Sequence, residues 1–299
     1  MNYSHIPVMR DEVLQALQIE QGSHYIDCTF GGGGYSVGIA AEEGQVLGLD
    51  LDQDAIDYFN SRTDIDPEIR SRIQVVHANF DAVFDNAQRI GFNPVKGVVF
   101  DLGVSSYQLD TGDKGFSFMR AGPLDMRMDQ SIGATAGKLL DILDFKSLVR
   151  IFIMYGDEMH ARRIAQAVID ARPSVMGARY WEDKTTADFA HLVEVAVGGR
   201  KERIHPATRV FQALRMAVND ETGNLERGLR SAWDCLQSGG RIVAVAFHSI
   251  EDRIVKDFMD ECEQKYKGKQ IGEVRTPSEK EVSTNPRSRS AKMRVVQKL

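Results

Sequence analysis

Four consecutive glycines, Gly31 to Gly34, stand between the apolar run Tyr25-Ile-Asp-Cys28 and a helix-like segment that opens with Tyr35-Ser36. Glycines at such a junction let the backbone take positive φ and let a ligand approach the peptide groups, while the new helix offers unpaired N–H groups. Nineteen residues beyond Gly31, the run Gln45-Val-Leu-Gly-Leu-Asp50 ends in a carboxylate, where an acid can bind ribose hydroxyls. Two further runs also end in polar chemistry. Arg72 to Ala78 leads into Asn79-Phe80-Asp81, and Gly97-Val-Val-Phe-Asp101 leads into Leu-Gly-Val-Ser105-Ser106. An acid for a ribose, an aromatic for an adenine face and a second acid beside the glycines make a nucleoside pocket. Each feature alone is equally well explained as core packing or a bare turn, but their ordered recurrence after successive apolar runs is not.

To converge, these residues need an open parallel sheet, in which ligands collect outside the carboxyl ends of the strands. The chain supplies its parts. Arg10–Leu17 has helical spacing, Tyr25 to Cys28, 45–50, 72–78 and 97–103 read as strands, and 54–60 and 82–90 read as helices between them. This alternation predicts an α/β fold with a mostly parallel, doubly wound sheet covered on both faces. From about Asp110 to Ile204 the strands stop, and helices are expected over 136–143, 146–155, 159–171 and 185–197. The rhythm resumes with helices at 206–219 and 225–236, a stop at Gly239-Gly240, a strand over 241–247 and a helix from Glu251 to Lys265. Residues 269–274 and 293–296 read as closing edge strands. The expected organisation is a sheet domain from 1–109 and 205–299, with a helical subdomain inserted over 110–204.

The composition is that of an ordinary globular protein, 42% hydrophobic and 27% charged over 299 residues. No run approaches a membrane span and the first residues lack a secretory pattern, so a cytoplasmic protein is expected. Cys28, Cys235 and Cys262 are far apart and without C-x-x-C spacing, which argues against disulfides or a zinc ribbon. The seven histidines form no H-E-x-x-H or H-x-H cluster, so no metal is expected. A net charge of −6 leaves any polyanion to local basic patches.

Dinucleotide-binding turns favour G-x-G-x-x-G, but counting from Gly31 the third glycine position is Ser36. This departure leans away from pyrophosphate and toward S-adenosylmethionine, which brings a carboxylate, an ammonium and a sulfonium. Helix N–H groups would favour its carboxylate, and Asp27 or Asp101 could meet its ammonium.

Long blocks across nearly the whole chain then carry a family resemblance. They include His5-Ile-Pro-Val-Met9, Thr29-Phe-Gly-Gly-Gly-Gly-Tyr-Ser36, Asp101-Leu-Gly-Val-Ser-Ser-Tyr-Gln-Leu-Asp110, Gly115-Phe-Ser-Phe-Met-Arg120 and Gly122-Pro-Leu-Asp-Met-Arg-Met-Asp129. Others are His205-Pro-Ala-Thr-Arg-Val-Phe-Gln-Ala-Leu-Arg215, Phe247-His-Ser-Ile-Glu-Asp-Arg-Ile-Val-Lys256 and Asn285-Pro-Arg-Ser-Arg-Ser290. In these the sequence resembles the ribosomal RNA small subunit methyltransferase H family, which methylates N4 of a cytidine in the decoding region of 16S rRNA. The resemblance implies a Rossmann-like class I methyltransferase, S-adenosylmethionine as cofactor, 16S rRNA, within the small ribosomal subunit, as partner, and cofactor contacts at Gly33, Gly34, Tyr35, Asp50, Phe80, Asp101 and Gln108. Tyr35 stands where the family usually has His, and Tyr107 where it usually has Pro.

Methyl transfer to an exocyclic amine needs alignment above all. Asp101 and His248 are the candidate catalytic groups. Ser249 is a candidate base contact, or equally a helix cap. The absence of a cysteine from the loop after Asp101 argues against C5 methylation through a thiol adduct. For the RNA, Arg127 and Arg215 are candidate phosphate ligands, together with Arg287 and Arg289 in a C-terminal run that carries five basic residues and no acid from Pro286 onward. Two other readings compete: an NAD-linked oxidoreductase on the same half-sheet, and a non-catalytic rRNA-binding assembly factor.

Overall fold

The apolar runs assemble into one seven-stranded sheet of order β3-β2-β1-β4-β5-β7-β6, in a computed structural model that describes residues 7–103, 112–131, 133–173, 179–199 and 205–299. Its strands are β1 (His24–Asp27), β2 (Gln45–Asp50), β3 (Ile73–His77), β4 (Val95–Asp101), β5 (Leu236–Ala246), β6 (Gly268–Gln270) and β7 (Lys292–Lys298). Strands β1 to β5 pair in parallel, and β7 runs antiparallel to both of its neighbours.

Alternate residues of β4 enter opposite cores. Val98 and Phe100 join Ile26, Leu47, Leu229 and Trp233 on one face, while Val99 joins Tyr25, Val46, Val13 and Leu17 on the other. Burial on both faces is why these strands are continuous apolar runs. Asp27 pairs with Gly48 and Val99, Asp50 with His77, and Asp101 with Val245. That register brings the three carboxylates to one edge of the sheet.

Five helices accompany the first four strands: α1 (Arg10–Leu17), α2 (Gly34–Ala41), α3 (Gln53–Ser61), α4 (Pro67–Ser71) and α5 (Val83–Arg89). α1 covers the expected span. α4 went unread in the sequence because it is a single turn, held by Asp66, whose side chain accepts the Glu68 N–H at 2.8 Å. Another correction concerns Gly239-Gly240, expected to stop a helix. The helix Glu221–Cys235 ends earlier and β5 already begins at Leu236, because Leu236 is buried and pairs with Val95. The ladder then shifts register before Gly97 meets Arg241, and Gly239, at φ 80°, accommodates the irregularity.

The chain divides into two compact units, residues 1–103 with 222–299, and residues 104–221. The sheet is the first. The second is helical, with Ala136–Ile142, Phe145–Gly156, Ala161–Ala171, Thr186–Val197 and Ala207–Val218. Its core holds Phe152, Ile164, Val168, Trp181, Phe189, Val193, Phe211 and Leu214. The helix Ala207–Val218, which rhythm alone assigned to the sheet domain, packs here against Phe145–Gly156, since Val210, Phe211 and Leu214 face this core. Among the described residues no helix is long and apolar enough to cross a membrane.

Candidate active site

After β1 the chain turns through Thr29 and Phe30 into the glycines, and α2 begins at Gly34. Side chains and carbonyls fix this turn from behind. Phe30 N–H donates to the Leu49 carbonyl (3.0 Å) and Gly33 N–H to the Phe30 carbonyl (2.8 Å). Gly31 N–H donates to Asp50 Oδ2 at 2.6 Å. Gly33 has φ 78°, and a Cβ on it would lie 2.8 Å from the Phe59 ring, so both conformation and space exclude a side chain. The first N–H groups of α2, those of Gly34 and Tyr35, have no intrahelical acceptor by geometry and form a cradle for an anionic group, while the backbone N–H of Ser36 is turned to Asp27.

Three acids surround the turn. Both Asp50 oxygens accept backbone N–H groups, Oδ2 from Gly31 and Oδ1 from Asp52 (2.8 Å), which leaves each a lone-pair direction for a hydroxyl. Burial pushes its carboxyl up to about 6 against those hydrogen bonds. Asp27 is fully buried and already partnered, by the Ser36 hydroxyl (2.8 Å) and Thr29 N–H (3.3 Å); burial again pushes it to about 6. Serine at the third glycine position is thus an internal ligand of Asp27. Asp101 differs. Its backbone N–H donates to Thr29 Oγ1 at 2.6 Å, but its buried Oδ1 has no hydrogen-bond partner. Burial first, then the neighbouring charge of Asp27, holds this carboxyl well above the usual range, opposed by a hydrogen bond from Tyr35. The Tyr35 hydroxyl has one proton and also donates to the Val8 carbonyl at 2.5 Å. The demand of Asp101 for a donor is therefore unmet, the state that a cationic ligand would relieve.

Tyr35, one of the cofactor contacts that the resemblance implies, is itself buried, so its ring is packed against the protein. Phe80 is half-buried in the turn Phe80–Ala82. Its ring meets Phe100 edge-on at 5.6 Å, and Gly228 makes room for it, since a Cβ there would fall 2.5 Å from the ring. Gln108, with Tyr107, lies outside the described residues.

The remaining candidates separate. His248, offered as a catalytic group, is the N-cap of the helix Ser249–Lys265: its Nδ1 accepts the Glu251 N–H at 3.4 Å. Its buried Nε2 lies 3.0 Å from Glu251 Oε1, out of line for a hydrogen bond. Glu251, which sequence reasoning missed, is buried and accepts the Phe247 N–H at 2.9 Å; an acid in the first turn of a helix was the available signal. Ser249 is exposed. In the second unit Arg127 is forked onto Asp125 (2.8 and 2.9 Å) and donates to the Gln130 carbonyl, and Arg215 is forked onto Glu221 (2.7 and 2.9 Å). Both guanidinium groups are committed internally. Arg287 and Arg289 are exposed on the turn Pro286–Ser290. The basic run beyond them is β7, which contains the strand expected at 293–296, with Lys292 and Arg294 on Asp252 (2.9 and 2.7 Å).

A sheet of order 3-2-1-4-5-7-6 with only β7 reversed, a glycine turn after β1 and acids closing β2 and β4 defines a Rossmann-like class I methyltransferase. A dinucleotide-binding sheet, by contrast, runs 3-2-1-4-5-6. Within that class the chain belongs to the MraW methylase family, whose model matches residues 2–299. It is 42% identical over 316 residues to Ribosomal RNA small subunit methyltransferase H of Dehalococcoides mccartyi, covering 99% of this chain and 87% of that protein. The enzyme of the same name from Hyphomonas neptunium is 43% identical over 309 residues, 97% of this chain and 87% of the other. Among solved structures, an rRNA methylase from Streptococcus thermophilus aligns with TM-score 0.44 and 9% identity, covering 97% of this chain and 93% of that one.

Proposed function

We propose that the protein transfers a methyl group from S-adenosylmethionine to N4 of a cytidine in the decoding region of 16S rRNA, acting in the cytoplasm on the small ribosomal subunit. The observation that carries the cofactor assignment is Asp101 Oδ1, a buried carboxylate oxygen without a partner on the residue that closes β4. Three carboxylates around one glycine turn repel a pyrophosphate and attract an ammonium. The residues present fit this cofactor: the N–H groups of Gly34 and Tyr35 for its carboxylate, with Gly33 in the turn that carries them, Asp101 for its ammonium, Asp50 for its ribose and Phe80 for its adenine; the family resemblance adds Gln108 as a further contact. Once bound, it supplies an electrophilic methyl group on a sulfonium.

The chain's own contribution is to hold and align, which is worth several kcal/mol in such a displacement. Thiol chemistry finds no support. Burial pushes the Cys28 thiol well above its ordinary value and those of Cys235 and Cys262 to about 12, so none is a ready thiolate. An amine acceptor fits this better than a ring carbon that needs a cysteine adduct. For RNA phosphates, Arg287 and Arg289 are the better ligands, because both are exposed on the turn Pro286–Ser290. Ser249 remains a contact to the base, and His248 serves through the start of its helix. Neither the oxidoreductase reading nor the assembly-factor reading is supported by the family match. Mass spectrometry of 16S rRNA nucleosides from a deletion strain tests the proposal: N4-methylation of the cytidine should vanish, and its persistence would refute the substrate.

A further inference from the structure

A run of glycines is the loosest backbone a chain can offer, yet a ligand cradle must hold its N–H groups still. Gly31 to Gly34 have no side chains with which to do this. The peptide plane between Gly32 and Gly33 is nonetheless held at both ends. Gly33 N–H donates to the Phe30 carbonyl at 2.8 Å, and the Gly32 carbonyl accepts from Arg62 Nη1 at 2.9 Å. Arg62 is the C-cap of α3, its backbone N–H closing on the Phe59 carbonyl at 3.2 Å. Its guanidinium is oriented by a fork on Asp64, Nε to Oδ1 at 3.1 Å and Nη2 to Oδ2 at 2.7 Å. All three guanidinium nitrogens are therefore used, two to aim the group and one to hold the turn. The Phe59 ring, packed at Gly33, keeps the end of α3 at this place.

We propose that Arg62 is a positioning residue for the cofactor: by holding the Gly32 carbonyl from behind, it sets the direction of the N–H groups that open α2. A peptide between two glycines meets no Cβ barrier to rotation, so without Arg62 the plane turns and can present the Gly32 carbonyl to an incoming carboxylate. That replaces an attraction with a repulsion. Neither composition nor motif reading singles out Arg62, since it lies 30 residues from Gly32 in sequence.

The inference rests on the cofactor reading above, and calorimetry on the full chain separates the two. S-adenosylmethionine and S-adenosylhomocysteine are titrated into the wild type, Arg62→Ala, Arg62→Lys and Asp64→Asn, and backbone amide exchange of residues 30–37 is followed without ligand. A wild type that binds neither compound overturns the cofactor reading and this inference with it. With a binding wild type, Arg62→Ala should weaken affinity about ten- to hundredfold, the worth of a hydrogen bond from a charged donor. Arg62→Lys, which reaches the carbonyl without the fork, and Asp64→Asn should fall between. Amides of the turn should exchange faster while those of β2 and β4 do not, and the KM for RNA should stay put. Arg62→Ala affinity within about twofold of wild type, or faster exchange throughout the sheet, overturns the inference while leaving the cofactor reading intact. Should Arg62→Ala fail to fold, the same criteria apply to Arg62→Lys and Asp64→Asn.

Discussion

Asp50→Asn tests two duties of one side chain. In the free protein burial raises the Asp50 carboxyl from 3.8 to about 6, so folding costs more when it is ionised. A raised carboxylate binds a proton more tightly folded than unfolded, so its contribution to stability is lost as pH rises from the unfolded value through the folded one. Integrating both titrations gives a loss of about 1.4 kcal/mol between about pH 5 and about pH 8 from this group alone. Asparagine removes that slope. It also removes an acceptor, since one amide oxygen cannot serve both Gly31 N–H and Asp52 N–H, at about 1–3 kcal/mol at every pH. Urea unfolding at the two pH values should therefore show the variant weaker at both, with the gap narrowing by about 1.4 kcal/mol at the higher pH. Calorimetry should show S-adenosylmethionine bound about tenfold or more less tightly, because the ribose loses a charged acceptor. A pH slope parallel to that of the wild type would refute the burial argument. Unchanged affinity would remove Asp50 from the site.

Asp101→Ala should abolish methyl transfer while circular dichroism and urea unfolding stay near wild type; near-normal turnover would exclude Asp101. Gly33→Ala should destabilise by about 1–3 kcal/mol in urea, since alanine at φ 78° is strained and its Cβ meets the Phe59 ring. Arg287→Ala with Arg289→Ala should raise the KM for RNA and lower the slope of log affinity against log salt by about one per arginine, leaving cofactor affinity unchanged.

The strand ends were legible because a carboxylate interrupting a doubly buried apolar run is conspicuous, as at Asp50 and Asp101. What each acid does with its oxygens was not. Asp27 and Ser36 meet only after the glycine turn folds back, and that pairing, not the spacing, distinguishes Asp27 from Asp101, whose Oδ1 has no partner. Arg127 was read as a phosphate ligand although Asp125, its internal partner, stands two residues away; the sequence holds both, but which neighbour a long side chain chooses is a matter of rotamer and packing. Arg215 repeats the lesson with Glu221. The Gly239 pair misled because a glycine signals an unusual dihedral without saying whether a helix end or a strand irregularity needs it. Within the basic C-terminal run the strand at 293–296 was legible, since Met293, Val295 and Val296 supply the buried positions between Lys292, Arg294 and Lys298.

The β4–β5 pairing has a consequence for synthesis. Asp101 finds Val245 across the sheet, so β4 leaves the ribosome long before its neighbour. At about 5–20 residues per second that interval is on the order of 7–30 s. Throughout it, one side of β4 lacks its partner strand, and Val98, Val99 and Phe100, all fully buried in the finished protein, lie along an open edge. Such an edge is a template for pairing with another nascent chain. Crowded translation of this protein should therefore be limited by the protection of β4, and expression at lower temperature or with added holdase chaperones should raise the soluble yield.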